Sequence, residues 1–214
     1  MNMNKSLMLA AAVVAASAAP GIASASLVLD TGTPTSSSMP MLLDGNDYYA
    51  AEFNLTAGQT VTNIQAYVEA GLDQPGDTFT VALYGSDLLT NRAPTQLVSG
   101  QATYQQDGWT GLSGLSFTAT TTGTYWAAFE VGSNDSAIGL ALPSPTSGGT
   151  APALDFAYSS TGSGGYSDQS AMPFGVQVTV ADAAPVPLPP AVWLFGSGML
   201  GFGALVRRRR PAIV

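Results

Sequence analysis

A chain of 214 residues without a single histidine or cysteine has no imidazole or thiolate ligand for a metal, no Ser-His-Asp or Cys-His nucleophile, and no disulfide. Five of its six basic residues lie at the ends, Lys5 near the start and Arg207, Arg208, Arg209 and Arg210 near the finish, so that Arg92 alone faces fourteen acids between Asp30 and Asp182, a formal charge of −13. Nothing there neutralises phosphates, which excludes nucleic acid as a partner, and no lysine is present for a Schiff base or a Ser-Lys dyad.

In chain order, residues 1–25 read as a signal peptide with a helical apolar segment. Lys5 supplies the positive start, Leu7 to Ala19 is apolar and uncharged, and Ala23-Ser24-Ala25 is a small-x-small site. Cleavage is expected between Ala25 and Ser26. The apolar run is too short to span a bilayer, which favours a cleaved leader over an anchor.

Residues 26–182 read as one ectodomain, large enough to bury a core unaided. Alternation marks its strands. Tyr49, Ala51, Phe53 and Leu55 share a face, as do the aliphatic residues of 64–69. The odd positions of 78–84 form an apolar row, 115–119 repeats the pattern, and Tyr125, Ala127, Phe129 and Val131 follow. Phe174, Val176, Val178 and Val180 close the series, and 97–104 is a weaker strand. Turn signals separate them and no crossover helix intervenes, so the expected class is all-β, an antiparallel β-sandwich or jelly roll. Pro143 to Pro152 and Ser159 to Ser170 read as long irregular surface loops. The exposed edge strands of such a fold offer a route to self-association.

Residues 183–190 form a Pro-rich linker, stiff and extended. Residues 191–206 carry no charge and as a transmembrane helix measure roughly 24 Å. Arg207 to Arg210 stop that helix, and residues 207–214 form a basic tail held on the cytoplasmic side.

Three constellations carry candidate chemistry. Asp44, Asn46 and Asp47 pack oxygen donors around a Gly turn, a candidate structural calcium site without the EF-hand spacing; the competing reading is a plain Asx turn. Tyr67, Tyr84 and Trp126 point away from the aliphatic rows. Adjacent and solvated, they would make a platform for sugar stacking, with Gln65, Glu69 and Glu130 to bond hydroxyls; otherwise they form a second buried face under the long loops. Fourteen acids also permit an acid-pair glycoside hydrolase, although no pair sits in a recognisable motif. No catalytic residue and no organic cofactor are expected.

The tail resembles a known signal. Val186-Pro187-Leu188-Pro189, then an apolar helix containing Trp193-Leu194-Phe195-Gly196-Ser197-Gly198, then the arginine cluster, look like the PEP-CTERM sorting signal. Leu188 stands where the name-giving Glu of that family stands, and Val-Pro-Leu-Pro is a variant found in it. The resemblance covers about 25 residues and implies an exosortase, a membrane-embedded transpeptidase-like cysteine enzyme, as partner. It also implies a Gram-negative, exopolysaccharide-making host and export across the inner membrane. The product is then an envelope or extracellular protein, or an inner-membrane protein if left unprocessed. The ectodomain, through Ala51-Glu52-Phe53 and Gly123-Thr124-Tyr125-Trp126, is similar to β-sandwich domains found ahead of such tails. The expected function is therefore non-catalytic, in an envelope or matrix with exopolysaccharide; a carbohydrate-binding module is the alternative.

Overall fold

The computed structural model describes residues 24–35, 41–160 and 165–182. The signal segment before Ser24, the Val186–Pro189 motif, the 191–206 helix and Arg207–Arg210 lie outside them. The compact unit is Ser24–Ala183. Among the described residues no helix is long and apolar enough to cross a membrane.

Alternation in the sequence becomes alternation of burial. In β3 (Asp47–Leu55) the side chains of Tyr49, Ala51, Phe53 and Leu55 enter the core. β4 (Thr60–Val68) buries Val61, Ile64, Ala66 and Val68. β13 (Val176–Ala181) follows the same rule, whereas β5 (Thr78–Tyr84) and β8 (Gly123–Glu130) are buried on both faces over much of their length. The remaining strands are β1 (Ala25–Pro34), β2 (Met41–Leu43), β6 (Gln96–Thr103), β7 (Gly108–Thr118), β9 (Leu140–Leu142), β10 (Thr146–Ala151), β11 (Phe156–Ser160) and β12 (Ser167–Asp168).

The strands form two main antiparallel sheets packed as a sandwich. One has five strands in the order β10-β1-β13-β4-β7, the other six in the order β12-β11-β3-β8-β5-β6. β2 and β9 make a separate short pair. The core lies between the sheets, and Phe174 is at an aromatic junction within it. Its ring centroid is 5.6 Å from Phe156, 5.9 Å from Phe129 and 6.1 Å from Tyr49. Each such ring contributes about 1.5–3 kcal/mol by leaving water. Among the described residues, the fully buried members of this core run from Leu29 to Val180, with Val28 packed against them.

Two loop expectations need correction. Pro143–Pro152 contains β10, the edge of the five-stranded sheet, and Ser159–Ser170 contains the end of β11 and all of β12. Alternation failed at β10 because an exposed edge strand buries neither face. Its Thr-Ser-Gly-Gly-Thr-Ala sequence is chosen for close approach: a Cβ on Gly149 would overlap the Asp30 carbonyl oxygen, so only glycine fits. β1 escaped notice because its register shifts between Leu27 and Leu29, which breaks the period of two.

β1 and β13 are neighbours, with Ala25 opposite Ala181 and Ser26 opposite Val180. The Asp182 N–H donates to the Ser24 carbonyl at 3.1 Å. The expected Ala25–Ser26 cleavage point thus lies in the first residues of β1. The chain enters and leaves the sandwich at one pole.

Candidate functional site

The two outer faces of the sandwich differ. On the six-stranded sheet, Ala50, Tyr84, Leu88, Trp126 and neighbouring alanines form a second buried cluster, with Leu89 and Tyr166 packed on it. The segment after β5 folds over this face and is held by Asp87. Its carboxylate accepts the Thr95 N–H at 3.1 Å, the Thr95 hydroxyl at 3.0 Å and the Asn91 amide at 3.2 Å. Burial pushes the Asp87 carboxyl up, and these donors more than reverse that, leaving it below its ordinary value.

This arrangement overturns the three-residue platform of Tyr67, Tyr84 and Trp126. Tyr84 is 8% exposed and Trp126 1%, while Tyr67 stands on the other sheet. The outward parity of Tyr84 and Trp126 was read correctly, and the two are cross-strand partners. What parity does not reveal is that loops cover them. The buried Trp126 Nε1 has no hydrogen-bond partner among the described residues. Glu130, read as a sugar-bonding group, instead accepts the Tyr84 and Tyr166 hydroxyls in this cluster.

The outer face of the five-stranded sheet has no such second core among the described residues. Tyr67 and Trp109 are cross-strand partners there, their ring centroids 5.7 Å apart at an interplanar angle of 86°. Both are partly exposed, and neither belongs to a core cluster. The Tyr67 N–H donates to the Gly175 carbonyl at 2.9 Å. A Cβ on Gly175 would sit 2.6 Å from Tyr67 Cβ, so glycine lets the ring lie close over the backbone. The next row across the face holds Gly111, Gln65 and Gln177 in register.

The carboxylate on this face is turned to structural use. Asp30, 7% exposed, accepts the Thr150 hydroxyl at 2.8 Å, the Thr150 N–H at 3.0 Å, and the Gly32 N–H and Gln177 amide at 3.2 Å each. Burial pushes its carboxyl up, and the four donors outweigh burial and hold it below 3.8. Asp30 thereby ties β1 to β10 and β13. The face presents the rings of Tyr67 and Trp109, the amides of Gln65, Gln177 and Asn63, and the engaged Asp30 carboxylate. Sequence reading found Tyr67 and Gln65 but missed Trp109, whose Gly-Trp-Thr-Gly surroundings show no alternation. Glu69 lies beyond the end of β4, where its backbone bridges to Ala141.

The Asp44 turn has the geometry of the competing reading. Asp44 Oδ1 accepts the Asn46 N–H at 2.6 Å and the Asp47 N–H at 3.0 Å. Asp47 Oδ1 accepts the Tyr158 hydroxyl at 2.6 Å. Among the described residues no group of three or more acidic side chains is placed to hold a metal ion. Asp73 and Asp77 sense one another, yet each shapes a turn. Asp73, 1% exposed, caps the Ile138 and Gly139 N–H groups at 2.8 Å, and burial raises its carboxyl. Asp77 accepts the Gln74 N–H at 2.8 Å and the Ser136 hydroxyl at 3.0 Å.

The described residues thus define an all-β sandwich domain with one outer face closed by loops and the other open. No family model matches the chain, and no curated protein matches it. Among solved structures it is distantly similar to the cysteine protease and lectin-like domains of Cwp84, a surface layer associated protein of Clostridium difficile. The identity is 13%, the TM-score 0.44, and the match covers 64% of this chain and 32% of that one.

Proposed function

We propose that this chain is an exported, non-catalytic protein of the cell envelope or extracellular matrix, sorted by a PEP-CTERM-type signal and acting with exopolysaccharide. The observation that carries this reading is the ordered tail: Val186-Pro187-Leu188-Pro189, an uncharged apolar stretch over 191–206, and Arg207 to Arg210. The pairing of Ser26 with Val180 is consistent with it. The described chain begins and ends on neighbouring strands, β1 and β13, at one pole of the sandwich.

An exosortase-type enzyme acting near Pro189 removes the apolar helix and the arginines. Intact-mass analysis of the envelope form tests this. The expected mass lacks 191–214; a mass retaining Trp193 through Arg210 overturns sorting cleavage and leaves an inner-membrane anchor.

A second reading, a carbohydrate-binding module, is favoured by the uncovered Tyr67–Trp109 pair. Aromatic rings beside amides suit an uncharged sugar chain, which offers C–H faces to the rings and hydroxyls to Gln65 and Gln177. Glycan-array binding by the wild-type protein, lost on Trp109→Ala with the melting transition retained, is the expected result. Equal binding by both proteins overturns this reading.

A further inference from the structure

On the open face, Gly111, Gln65, Gln177 and Asp30 are successive cross-strand partners in the row beside Tyr67 and Trp109. Asp30 is buried there, and both of its oxygens are occupied. Oδ1 accepts the Gly32 N–H and the Gln177 amide, each at 3.2 Å. Oδ2 accepts the Thr150 N–H at 3.0 Å and the Thr150 hydroxyl at 2.8 Å. Two donors fill each carboxylate oxygen, so Asp30 has nothing left to offer a ligand.

Its effect is on Gln177. An ionised carboxylate only accepts, so the nitrogen end of the Gln177 amide is the end turned to Asp30. Gln177 Oε1 is therefore directed away from Asp30, on a side chain that is partly exposed on the outer side of the sheet. Donors from β1 and β10 hold the carboxylate, which sets the amide's orientation before any ligand arrives.

The rings flank the same row. The point that a Cβ on Gly175 would take lies 3.6 Å from Trp109 Cη2, although β4 stands between β7 and β13. The indole thus reaches across β4, with the Tyr67 ring nearly perpendicular to it. Gly111, two residues on from Trp109, adds no side chain. Among the described residues the single basic side chain is Arg92, in the segment that folds over the other sheet. The open face has no cation to answer a ligand carboxylate.

We propose that Gln177 is a specificity-determining acceptor for a sugar hydroxyl, that Asp30 is its positioning residue, and that this site takes neutral pyranose chains and refuses uronate-containing ones. The proposal rests on the carbohydrate-binding reading and deepens it. A hydroxyl donates to Gln177 Oε1. A carboxylate in its place sets acceptor against acceptor, with the Asp30 charge behind. A site built to bond a hydroxyl discriminates more sharply than an apolar pocket does.

The test is binding of the full-length protein, in detergent, to an array of matched neutral and uronate-containing glycans. Salt at about 0.5 M screens the general negative charge of the domain. The unaltered protein is expected to prefer the neutral member of a pair about tenfold, the effect of one hydrogen bond. Gln177→Met keeps the side chain's length without the acceptor, and the preference is expected to fall to about twofold or less. Asp30→Asn frees the amide and lowers the preference in the same direction. A merely structural loss weakens both members alike and leaves their ratio unchanged. Equal binding of both members by the unaltered protein, or an unchanged ratio in Gln177→Met, overturns the proposal; binding that still depends on Trp109 then leaves the carbohydrate reading standing. An unchanged ratio in folded Asp30→Asn overturns the positioning role, and if that variant fails to fold, Gln177→Met decides. No Trp109-dependent binding to any glycan overturns both.

Discussion

The Tyr166 hydroxyl donates to Glu130 Oε1 at 2.6 Å, and the Tyr84 hydroxyl reaches the same oxygen at 3.0 Å. One carboxylate therefore binds two strands and the β12 region over Trp126. Tyr166→Phe removes the shorter bond and is expected to cost about 1.5–3 kcal/mol, the range for a hydrogen bond to a charged group. Urea unfolding checks the magnitude. Tryptophan fluorescence checks the mechanism, because loosening this layer admits water to Trp126.

Alkali attacks the same layer. Burial, and next the Glu130 charge, push both Tyr84 and Tyr166 well above their ordinary 10.0. The Asp107 bond at 2.6 Å, followed by burial, pushes Tyr104 up to about 12. These folded-state values exceed the unfolded ones. Their stabilisation is thus complete below 10.0 and is lost as pH rises through the folded values. Stability is expected to be level to about pH 9 and to fall beyond it. A series of melts against tyrosinate absorbance measures this, with Tyr104→Phe removing the step near 12.

At the acid end Asp30 works in the opposite sense. Its folded value lies below 3.8, so its contribution is present above 3.8 and disappears as pH falls through the lower, folded value. Asp30→Asn places an N–H₂ among donors that need an acceptor. It is expected to cost about 1–3 kcal/mol at neutral pH and to flatten the acid limb of the stability curve, both read from denaturant titrations across pH.

The two tryptophans should respond in contrast. Trp126→Ala empties a fully enclosed site and is expected to cost about 3–5 kcal/mol. Trp109→Ala loses one edge-to-face ring contact and partial burial, about 1–2 kcal/mol. If the open face holds sugar, Trp109→Ala abolishes retention on polysaccharide while Trp126→Ala, assayed below its melting temperature, keeps it. Affinity electrophoresis in a polysaccharide-loaded gel distinguishes the two.

Strands β3, β5, β8 and β13 were legible from residues alone, because the apolar residues that face the core recur with a period of two; β13 buries that face alone, whereas β3, β5 and β8 also bury part of the other. β10 and β12 were not, because an edge strand held by backbone bonds and a side-chain carboxylate needs no apolar row. The candidate site divides in the same way. Tyr67 and Gln65 declared themselves by parity, whereas Trp109 became their neighbour only through the pairing of β4 with β7.

Composition alone removed imidazole, thiol and lysine chemistry, and the order of motifs at the two ends supplied the case for export and sorting. Local pattern also decided which way Tyr84 and Trp126 point from their strands. Only the tertiary structure decided what lies over them. Parity is a property of one strand, but exposure depends on which distant segment packs there. The loop held by Asp87 and the tyrosine held by Glu130 close one face of the sandwich, and the rings of Tyr67 and Trp109 mark the face left open.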